Sequence, residues 1–160
     1  MPLRNNVTRL LDARKIPYEL FEFEAEKLPA EEVAERIGAP PEHVYKTLVV
    51  LREGKAGSRA RPLLVMTPAG RELNLKTLAA SLGEKKLKMA TQREAESLTG
   101  LQVGGISALA LLNKGFEICL ERAALNVPAI YVSAGQRGAD VRLRVQDLIG
   151  LTNAKLVDTT

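Results

Sequence analysis

The chain has 160 residues, of which 46% are apolar and 26% charged, and its net charge is +4. That size and composition fit one compact domain that buries a core, and we expect residues 1–160 to form it. No apolar run approaches the roughly 18 residues that cross a bilayer. The first residues lack an apolar signal segment, so we expect a cytoplasmic protein with no membrane partner.

Histidine and cysteine are nearly absent. One cysteine, Cys119, excludes an internal disulfide, and with one histidine, His43, a zinc site would need mostly carboxylate ligands. A Ser-His-Asp triad would have to recruit His43, which lies near a predicted helix start and is expected at the surface. Cys119 lies among apolar residues and is expected to be a buried strand thiol. We therefore expect neither a metal nor a cofactor.

Charge is unevenly distributed along the chain. Residues 1–50 carry 7 basic and 9 acidic side chains, whereas residues 51–160 carry 16 and 10. A positive surface attracts phosphate backbones without reading sequence, so this distribution slightly favours a nucleic-acid partner. Three Phe, three Tyr and no Trp are too few for a row of stacking platforms. Contact with RNA would therefore be to the backbone or to one terminal nucleotide.

The first third of the chain predicts alternating helices and strands. Cap residues, glycine stops and apolar spacing of three and four indicate helices, while alternation or continuous β-branched runs indicate strands. In chain order these are a helix begun by Asn5 or Asn6, a strand over 18–24, a helix from Pro29 to Gly38, a short helix from Pro41 into Tyr45, and a strand over 46–51 buried on both faces.

The remaining chain continues without regular strand-helix alternation, which predicts an α+β class with a mixed, curved and barrel-like central sheet flanked by short helices. The expected elements are a hairpin tip over 52–61, a buried strand over 61–67, a helix from Asn74 to Gly83, a strand over 86–90 with Leu87 and Met89 facing inward, a helix from the capping box Thr91–Glu94 to Gly100, strands near 116–120, 130–133 and 141–145, a helical turn from Asp147, and a closing strand over 154–157.

Lys46 is the first candidate for chemistry. It stands at the beginning of a strand that is otherwise apolar, where a side chain can be presented to a pocket. There it would supply a fixed positive charge to a phosphate or a carboxylate. The alternative is a structural lysine whose stem packs while its ammonium group reaches water.

A loop with paired glycines is the second candidate. Gly104 and Gly105 precede Ile106 and Ser107, and glycines allow main-chain N–H groups to approach a ligand closely. Such donors could hold an ester carbonyl and its developing oxyanion. A tight turn without function is an equally good interpretation of two adjacent glycines.

A glycine-bracketed turn that carries Ser133, Arg137 and Asp140 is the third candidate. Ser133 could orient a ligand, and Asp140 could bind an amine or position Arg137. The alternative is a plain hairpin in which Arg137 and Asp140 pair with each other.

Three segments in this order, together with smaller matches between them, resemble the YbaK/EbsC family, which is related to the editing domain inserted in bacterial prolyl-tRNA synthetases. The resemblance covers nearly the whole chain, and it rests mainly on Val44–Leu48, Val103–Ser107 and Tyr131–Asp140. It implies the fold of that family and the removal of wrongly attached amino acids from transfer RNA. In the best-known branch the substrate is cysteine on proline-specific transfer RNA, and the substrate's own thiol attacks its ester.

The resemblance also implies roles for particular residues. Lys46, Gly104 and Gly105 would be catalytic, with Lys46 holding the aminoacylated 3′ end and the glycines approaching the aminoacyl carbonyl. The residues expected to bind the substrate are Tyr45, Ser107, Ser133, Gly135, Arg137 and Asp140.

Partners and alternatives follow from the same resemblance. The implied partner is an aminoacylated transfer RNA, with a synthetase as a possible second partner because the chain lacks a separate anticodon-reading domain. A non-catalytic protein that binds an amino acid or aminoacyl group on the same fold is the alternative. A general RNA-binding factor is disfavoured by the few aromatic residues.

Three departures from the family's pattern leave the amino acid open between cysteine, alanine and another small residue. Ala108 stands where the family commonly has proline, and Phe23 stands near a common tyrosine. The segment Lys27–Ala30 has no aromatic residue where the family has a pocket-lining one.

Overall fold

The computed structural model describes residues 3–53 and 61–160, so most of the predicted hairpin tip over 52–61 lies outside the described residues. The helices and strands in those ranges are, in chain order, α1 Asn6–Ala13, β1 Tyr18–Glu22, α2 Ala30–Ile37, β2 Tyr45–Arg52, β3 Leu63–Pro68, α3 Leu75–Leu82, β4 Leu87–Met89, α4 Gln92–Thr99, β5 Glu117–Glu121, β6 Ala129–Ser133, β7 Ala139–Arg144, α5 Val145–Thr152 and β8 Lys155–Val157. Short 3-10 turns occupy Pro41–His43, Leu109–Leu111 and Arg122–Asn126.

The helix ends agree with the cap residues of the sequence. Asn5 caps α1, Asn74 caps α3, and Thr91 forms the predicted capping box with Glu94 before α4. Left-handed glycines end three helices, as predicted for Gly38, Gly83 and Gly100. Two boundaries differ. The helix predicted to reach Tyr45 is a single 3-10 turn that ends at His43, and α5 begins at Val145, two residues before Asp147.

The strands form two sheets. The larger has the order β4-β2-β3-β5-β8 and is mixed, because β3, β5 and β8 run parallel to one another while β2 is antiparallel to both neighbours. The smaller is antiparallel, with the order β1-β7-β6. One isolated parallel bridge, from Val44 to Tyr131, joins the two. The α+β class and the mixed sheet are confirmed. The predicted single barrel-like sheet is not confirmed, because among the described residues the two sheets are joined only by this bridge.

Burial distinguishes β3 from its neighbour β2. Every residue of β3 is buried, as its continuous apolar sequence predicts. β2 is only half-buried at several positions, which corrects the prediction of a strand buried on both faces. Met89 was also expected to face inward, but it is 40% exposed, whereas Leu87 is buried. Met89 lies at the end of β4, which is an outer strand of the larger sheet.

Cys119 is fully buried between the larger sheet and α3, as predicted. Its burial raises the pKa of the thiol to about 12. Across the described ranges, no helix has both the length and the apolar character needed to cross a membrane.

Candidate functional site

A cavity of about 480 Å³ lies where β2 and β6 separate beyond the Val44–Tyr131 bridge. Four segments and three single residues line it. They are residues 27–31 with Val33, 44–49, 89–92 with Ala95, and 103–106 without Gly105, together with Ala69, Ser133 and Asp140.

The edge of β2 forms one side of this cavity. The amide of Ala90 donates to the carbonyl of Val49 at 3.0 Å, and the pairing of β4 with β2 begins only at Val50. Main-chain groups of alternate residues point to the same edge, so the N–H and C=O of Thr47 point into the space between β2 and β6. The cavity therefore meets main chain as well as side chains.

Lys46 supplies a cation at the cavity wall. Its Nζ donates to the main-chain carbonyl of Arg71 at 2.8 Å, and the side chain is half-buried along β2. The carbonyl holds the ammonium group in one place while leaving its other two donors available. This geometry agrees with both interpretations of the sequence, a fixed positive charge and a structural lysine with a packed stem.

Asp140 supplies a carboxyl group deep in the cavity. It is 6% exposed, and its oxygens accept no hydrogen bond from a described residue. Burial raises the pKa of this carboxyl to about 7, because the charged form loses its hydration. The alternative in which Arg137 pairs with Asp140 is wrong, since the Arg137 Nε donates instead to the carbonyl of Val103 at 2.8 Å.

Thr47 was not predicted as part of the site, but the structure places it there. Its hydroxyl oxygen is buried and has no hydrogen-bond partner among the described residues. Buried polar groups in native proteins nearly always have partners, so the Thr47 hydroxyl indicates that the cavity holds water or a polar ligand, and the Asp140 carboxyl lines the same space. The sequence feature that could have indicated Thr47 as a site residue is its position directly after Lys46 in the same strand.

The two glycines of the predicted loop have different environments. Gly104 lines the cavity with φ +99°, and its amide donates to no described residue. The amide of Gly105 donates to the carbonyl of Gln102 at 2.8 Å, so it is not available to a ligand. A Cβ on Gly105 would lie 2.7 Å from the amide nitrogen of Arg137, which makes this glycine a close packing point.

Ile106 contributes a second uncommitted amide to the loop. It lines the cavity, and its N–H donates to no described residue. The predicted pair of donors from Gly104 and Gly105 is therefore corrected to Gly104 and Ile106.

Three predicted substrate-binding residues do not line the cavity. Ser107 is 1% exposed, and its Oγ accepts the amide of Leu109 at 3.2 Å, which shapes the following 3-10 turn. Gly135 packs against Val7, and its amide donates to the Ser133 Oγ at 3.2 Å. Arg137 reaches the carbonyl before Gly104, as described above. These residues hold the loops in place. The spacing of the motif did not show which of its residues line the cavity and which only support the loops around it.

Tyr45 and Ser133 do line the cavity. Burial raises the pKa of the Tyr45 phenol to about 12, so it stays neutral. The structure therefore brings five predicted residues to one cavity, namely Tyr45, Lys46, Gly104, Ser133 and Asp140.

The three departures from the family pattern have different consequences in the structure. Ala108 has φ −61°, the angle that a proline ring would impose, so the loop has the same local geometry without it. The segment Lys27–Ala30 lines the cavity with aliphatic and polar side chains only. Phe23 is not part of the cavity wall, and its amide donates to the carbonyl of Gly138.

Within residues 3–53 and 61–160, no three His, Cys, Asp or Glu side chains are grouped to hold a metal ion.

Fold and site together define a class: a small α+β protein whose cavity combines a fixed cation, a buried carboxyl and uncommitted main-chain amides. The family model of the aminoacyl-tRNA editing domain matches residues 24–151, and the chain belongs to that family. The matched range contains every residue of the cavity wall.

Known proteins resemble the chain over nearly its whole length. A relative from Enterococcus faecalis, named "Putative Cys-tRNA(Pro)/Cys-tRNA(Cys) deacylase EbsC", is 34% identical over 98% of this chain and 93% of its own. A crystal structure described as "a putative trans-editing enzyme for prolyl tRNA synthetase" aligns with a TM-score of 0.79 and 25% identity over 99% of both chains. A crystal structure of a hypothetical protein aligns with a TM-score of 0.83 over 97% of this chain and 99% of its own, at 23% identity.

Proposed function

We propose that this protein is a trans-acting editing deacylase that removes a small, wrongly attached amino acid from transfer RNA. The observation that carries the proposal is the placement of Lys46 and the unpartnered Asp140 in one cavity beside free main-chain amides. An aminoacyl ester has matching groups: an ammonium group, a carbonyl and, close by, the phosphates of the RNA 3′ end. Family membership and the names of the relatives support the same activity.

Each part of the cavity has a task in this proposal. Asp140 accepts the α-ammonium group of the amino acid, which supplies the partner that the buried carboxyl lacks. The amides of Gly104 and Ile106 donate to the carbonyl oxygen as negative charge develops on it, and one such donor contributes about 3 kcal/mol to transition-state stabilisation. Lys46 holds the ribose-phosphate end at the cavity wall.

The attacking group comes from the substrate or from water. Cys119 is buried outside the cavity with a raised pKa, the Ser107 hydroxyl is turned away, and no histidine lines the cavity. With a cysteinyl ester, the substrate sulfur bonds to the carbonyl carbon, the bond to the ribose oxygen breaks, and the thiol proton passes to that oxygen. With an alanyl ester, water attacks instead. Holding the reacting groups close and stabilising the oxyanion supply much of the rate enhancement in either case.

The physiological setting is part of the proposal. Aminoacylated transfer RNA is the partner, the cytoplasm is the place of action, and a synthetase is a second partner that would present the RNA. A purely binding role for this fold is less well supported, because the relative from Enterococcus faecalis and the trans-editing protein of known structure are both named as enzymes.

The test is release of amino acid from a panel of transfer RNAs charged with cysteine, alanine or another small residue. We expect Lys46→Ala to lower kcat/KM roughly a hundredfold, as losing about 3 kcal/mol of charge-assisted binding would. Lys155→Ala, which removes an exposed lysine from β8, is the matched control and should leave the rate unchanged. Full activity without Lys46, or no release from any of these substrates, would contradict the proposal. Binding of a free amino acid without turnover would favour the binding role.

A further inference from the structure

We propose that a basic groove beside the cavity, formed by β4 and α4, binds the phosphate backbone of the RNA acceptor end. The proposal rests on the deacylase function above and goes further by naming the surface that carries the body of the substrate. It starts from the charges that flank the cavity.

Two segments of opposite net charge each contribute part of the cavity wall, and we call them the acidic wall and the basic wall. Residues 19–36 carry seven acidic and two basic side chains, whereas residues 61–98 carry seven basic and four acidic ones. Both walls contribute to the cavity lining, through residues 27–33 and 89–95. They meet where the Lys27 Nζ donates to the Gln92 Oε1 at 2.5 Å. A polyanion that leaves the cavity is repelled by the first wall and attracted by the second.

Three of the four acidic side chains in residues 61–98 have partners in the structure. Glu84 forms an ion pair with Arg52 at 2.8 Å. Glu94 accepts the amide of Thr91, and Glu96 accepts the amide of Val103 at 2.8 Å. These contacts hold the carboxylates in place but do not remove their charge, and Glu94 lines the same groove as Lys88 and Arg93.

Positive side chains on this wall remain uncommitted. Lys85, Lys88 and Arg93 are exposed and form no ion pair with a described residue. Lys88 and Arg93 line one groove of about 760 Å³, whose floor includes Leu51 and Leu98. The side chain of Leu98 is 46% exposed, which offers apolar surface to a ribose or a base between the phosphates.

The groove lies directly beside the cavity. Met89 and Gln92 line the cavity, and their chain neighbours Lys88 and Arg93 line the groove. An RNA strand whose last nucleotide is bound in the cavity therefore reaches two cations within the next few nucleotides. Such contacts depend on charge and not on base sequence, so they would serve any transfer RNA with the right 3′ end.

The test is the double variant Lys88→Glu/Arg93→Glu, assayed with mischarged transfer RNA and with an aminoacyl-adenosine ester that lacks the acceptor stem. We expect KM for the transfer RNA to rise at least tenfold with kcat unchanged. The slope of log(kcat/KM) against log of the salt concentration should become shallower by about 1.4, because two phosphate contacts on a single strand are lost. Turnover of the small ester should not change. Lys88→Arg/Arg93→Lys keeps the charge and should restore the parent KM.

A matched control separates this groove from general charge effects. Lys114→Glu/Lys155→Glu changes net charge by the same amount at exposed lysines that do not line the cavity or this groove, and it should leave KM nearly unchanged. Thermal unfolding of all variants identifies any that lose their fold.

Three outcomes overturn the groove proposal. One is an unchanged KM for transfer RNA, and another is an equal loss with the small ester. The third is a loss seen only when a synthetase is added, which would make the groove a protein-binding surface. If the parent protein turns over neither substrate, the deacylase function itself fails, so the two failures are distinguishable.

Discussion

Lys46 and Asp140 face the same cavity from different sheets, and their surroundings are opposite. The ammonium group of Lys46 is half-exposed and bonded to a carbonyl, so its charge is stabilised before any ligand arrives. The carboxyl of Asp140 is buried, has no partner among the described residues, and has a pKa of about 7. The Lys46 ammonium group thus has a partner in the protein without a ligand, whereas the Asp140 carboxylate gains one only when a cation binds.

This difference indicates two kinds of recognition in one cavity. Lys46 can attract an anion from solvent, because its ammonium group is accessible and donates to a single carbonyl. Asp140 contributes little attraction at a distance, but it discriminates strongly once a ligand has displaced water, since an unpaired buried charge is costly. A substrate with a phosphate outside and an ammonium group inside satisfies both residues.

After Lys46→Ala, the largest effect is expected for Asp140→Asn, which keeps the shape of the side chain and removes its charge. We expect kcat/KM at pH 8 to fall at least thirtyfold, corresponding to a charged hydrogen bond of about 2 kcal/mol. The rise of the parent's kcat/KM near pH 7 should disappear in the variant. A substrate with an acetylated α-amine is the control, and the variant should lose nothing further on it. An equal loss on the acetylated substrate would show that Asp140 does not bind the amine.

The same substitution should change how stability depends on pH. Because the folded protein holds the Asp140 proton more tightly than the unfolded chain does, the parent loses stability as pH rises from about 4 to about 7. The loss from this group approaches about 1.4 kcal/mol per pH unit within that window and ends above it. Asp140→Asn should lack this slope in urea unfolding at pH 4.5 to 7. Parallel curves for parent and variant would mean that the carboxyl is not desolvated.

A smaller effect is expected at the support of Lys46. The buried carboxylate of Glu121 accepts the amide of Thr159, and the Thr159 hydroxyl lies 2.8 Å from that of Thr67. The carbonyl of Thr159 accepts the amide of Asn74 at 2.7 Å. This network fixes the turn that precedes α3, and the same turn contains the carbonyl that binds Lys46.

Thr159→Val removes the hydroxyl and keeps the volume of the side chain. We expect an unfolding free energy about 1 kcal/mol lower and a kcat/KM a few-fold lower, because the turn that holds Lys46 loosens. Combined with Lys46→Ala, the substitution should cause no further loss of activity, which is the coupling expected if it acts through Lys46. Thr160→Val, at an exposed neighbour, is the control. Additive losses in the double variant would instead indicate a general effect on folding.

The smallest effect on activity is expected for Cys119→Ala. Cys119 resembles Asp140 in its burial and its raised pKa, but it lies outside the cavity. We expect kcat/KM within twofold of the parent and a stability cost of about 1 kcal/mol from the lost packing. Inactivation of the folded parent by an alkylating reagent, without such inactivation of the variant, would contradict this expectation.

Local signals in the sequence were sufficient for most of the fold. Caps at Asn5, Asn74 and Thr91 and the stops at Gly38 and Gly83 act within a few residues, so their effects can be predicted without tertiary structure. The division into two sheets could not be predicted. It depends on the point at which β2 and β6 separate, and no local sequence pattern determines that point. Met89 shows the same limit, because the alternation of apolar residues in β4 does not tell which of them the rest of the fold covers: Leu87 is buried and Met89 is 40% exposed.

The sequence located the candidate site but not the task of each residue in it. Motif order brought Lys46, Gly104 and Asp140 together, since their spacing matches that of a known family. It did not separate Gly104 from Gly105, because the two differ only in which way their amides point. The Gly105 amide is directed by its bond to the carbonyl of Gln102, and the turn of Gln136 and Arg137 packs closely against this glycine; both contacts become visible only in the folded chain.

The uncovered edge of β2 has a consequence for how this cavity can change in evolution. Peptide groups at that edge and in the glycine loop are the same for every amino acid that occupies those positions. Substitutions along Lys27–Ala30 or at Met89 can therefore reshape the space for a substrate side chain without removing the main-chain donors. In the proposed deacylase, selectivity and catalysis would be carried by different atoms, so that one could change while the other is retained.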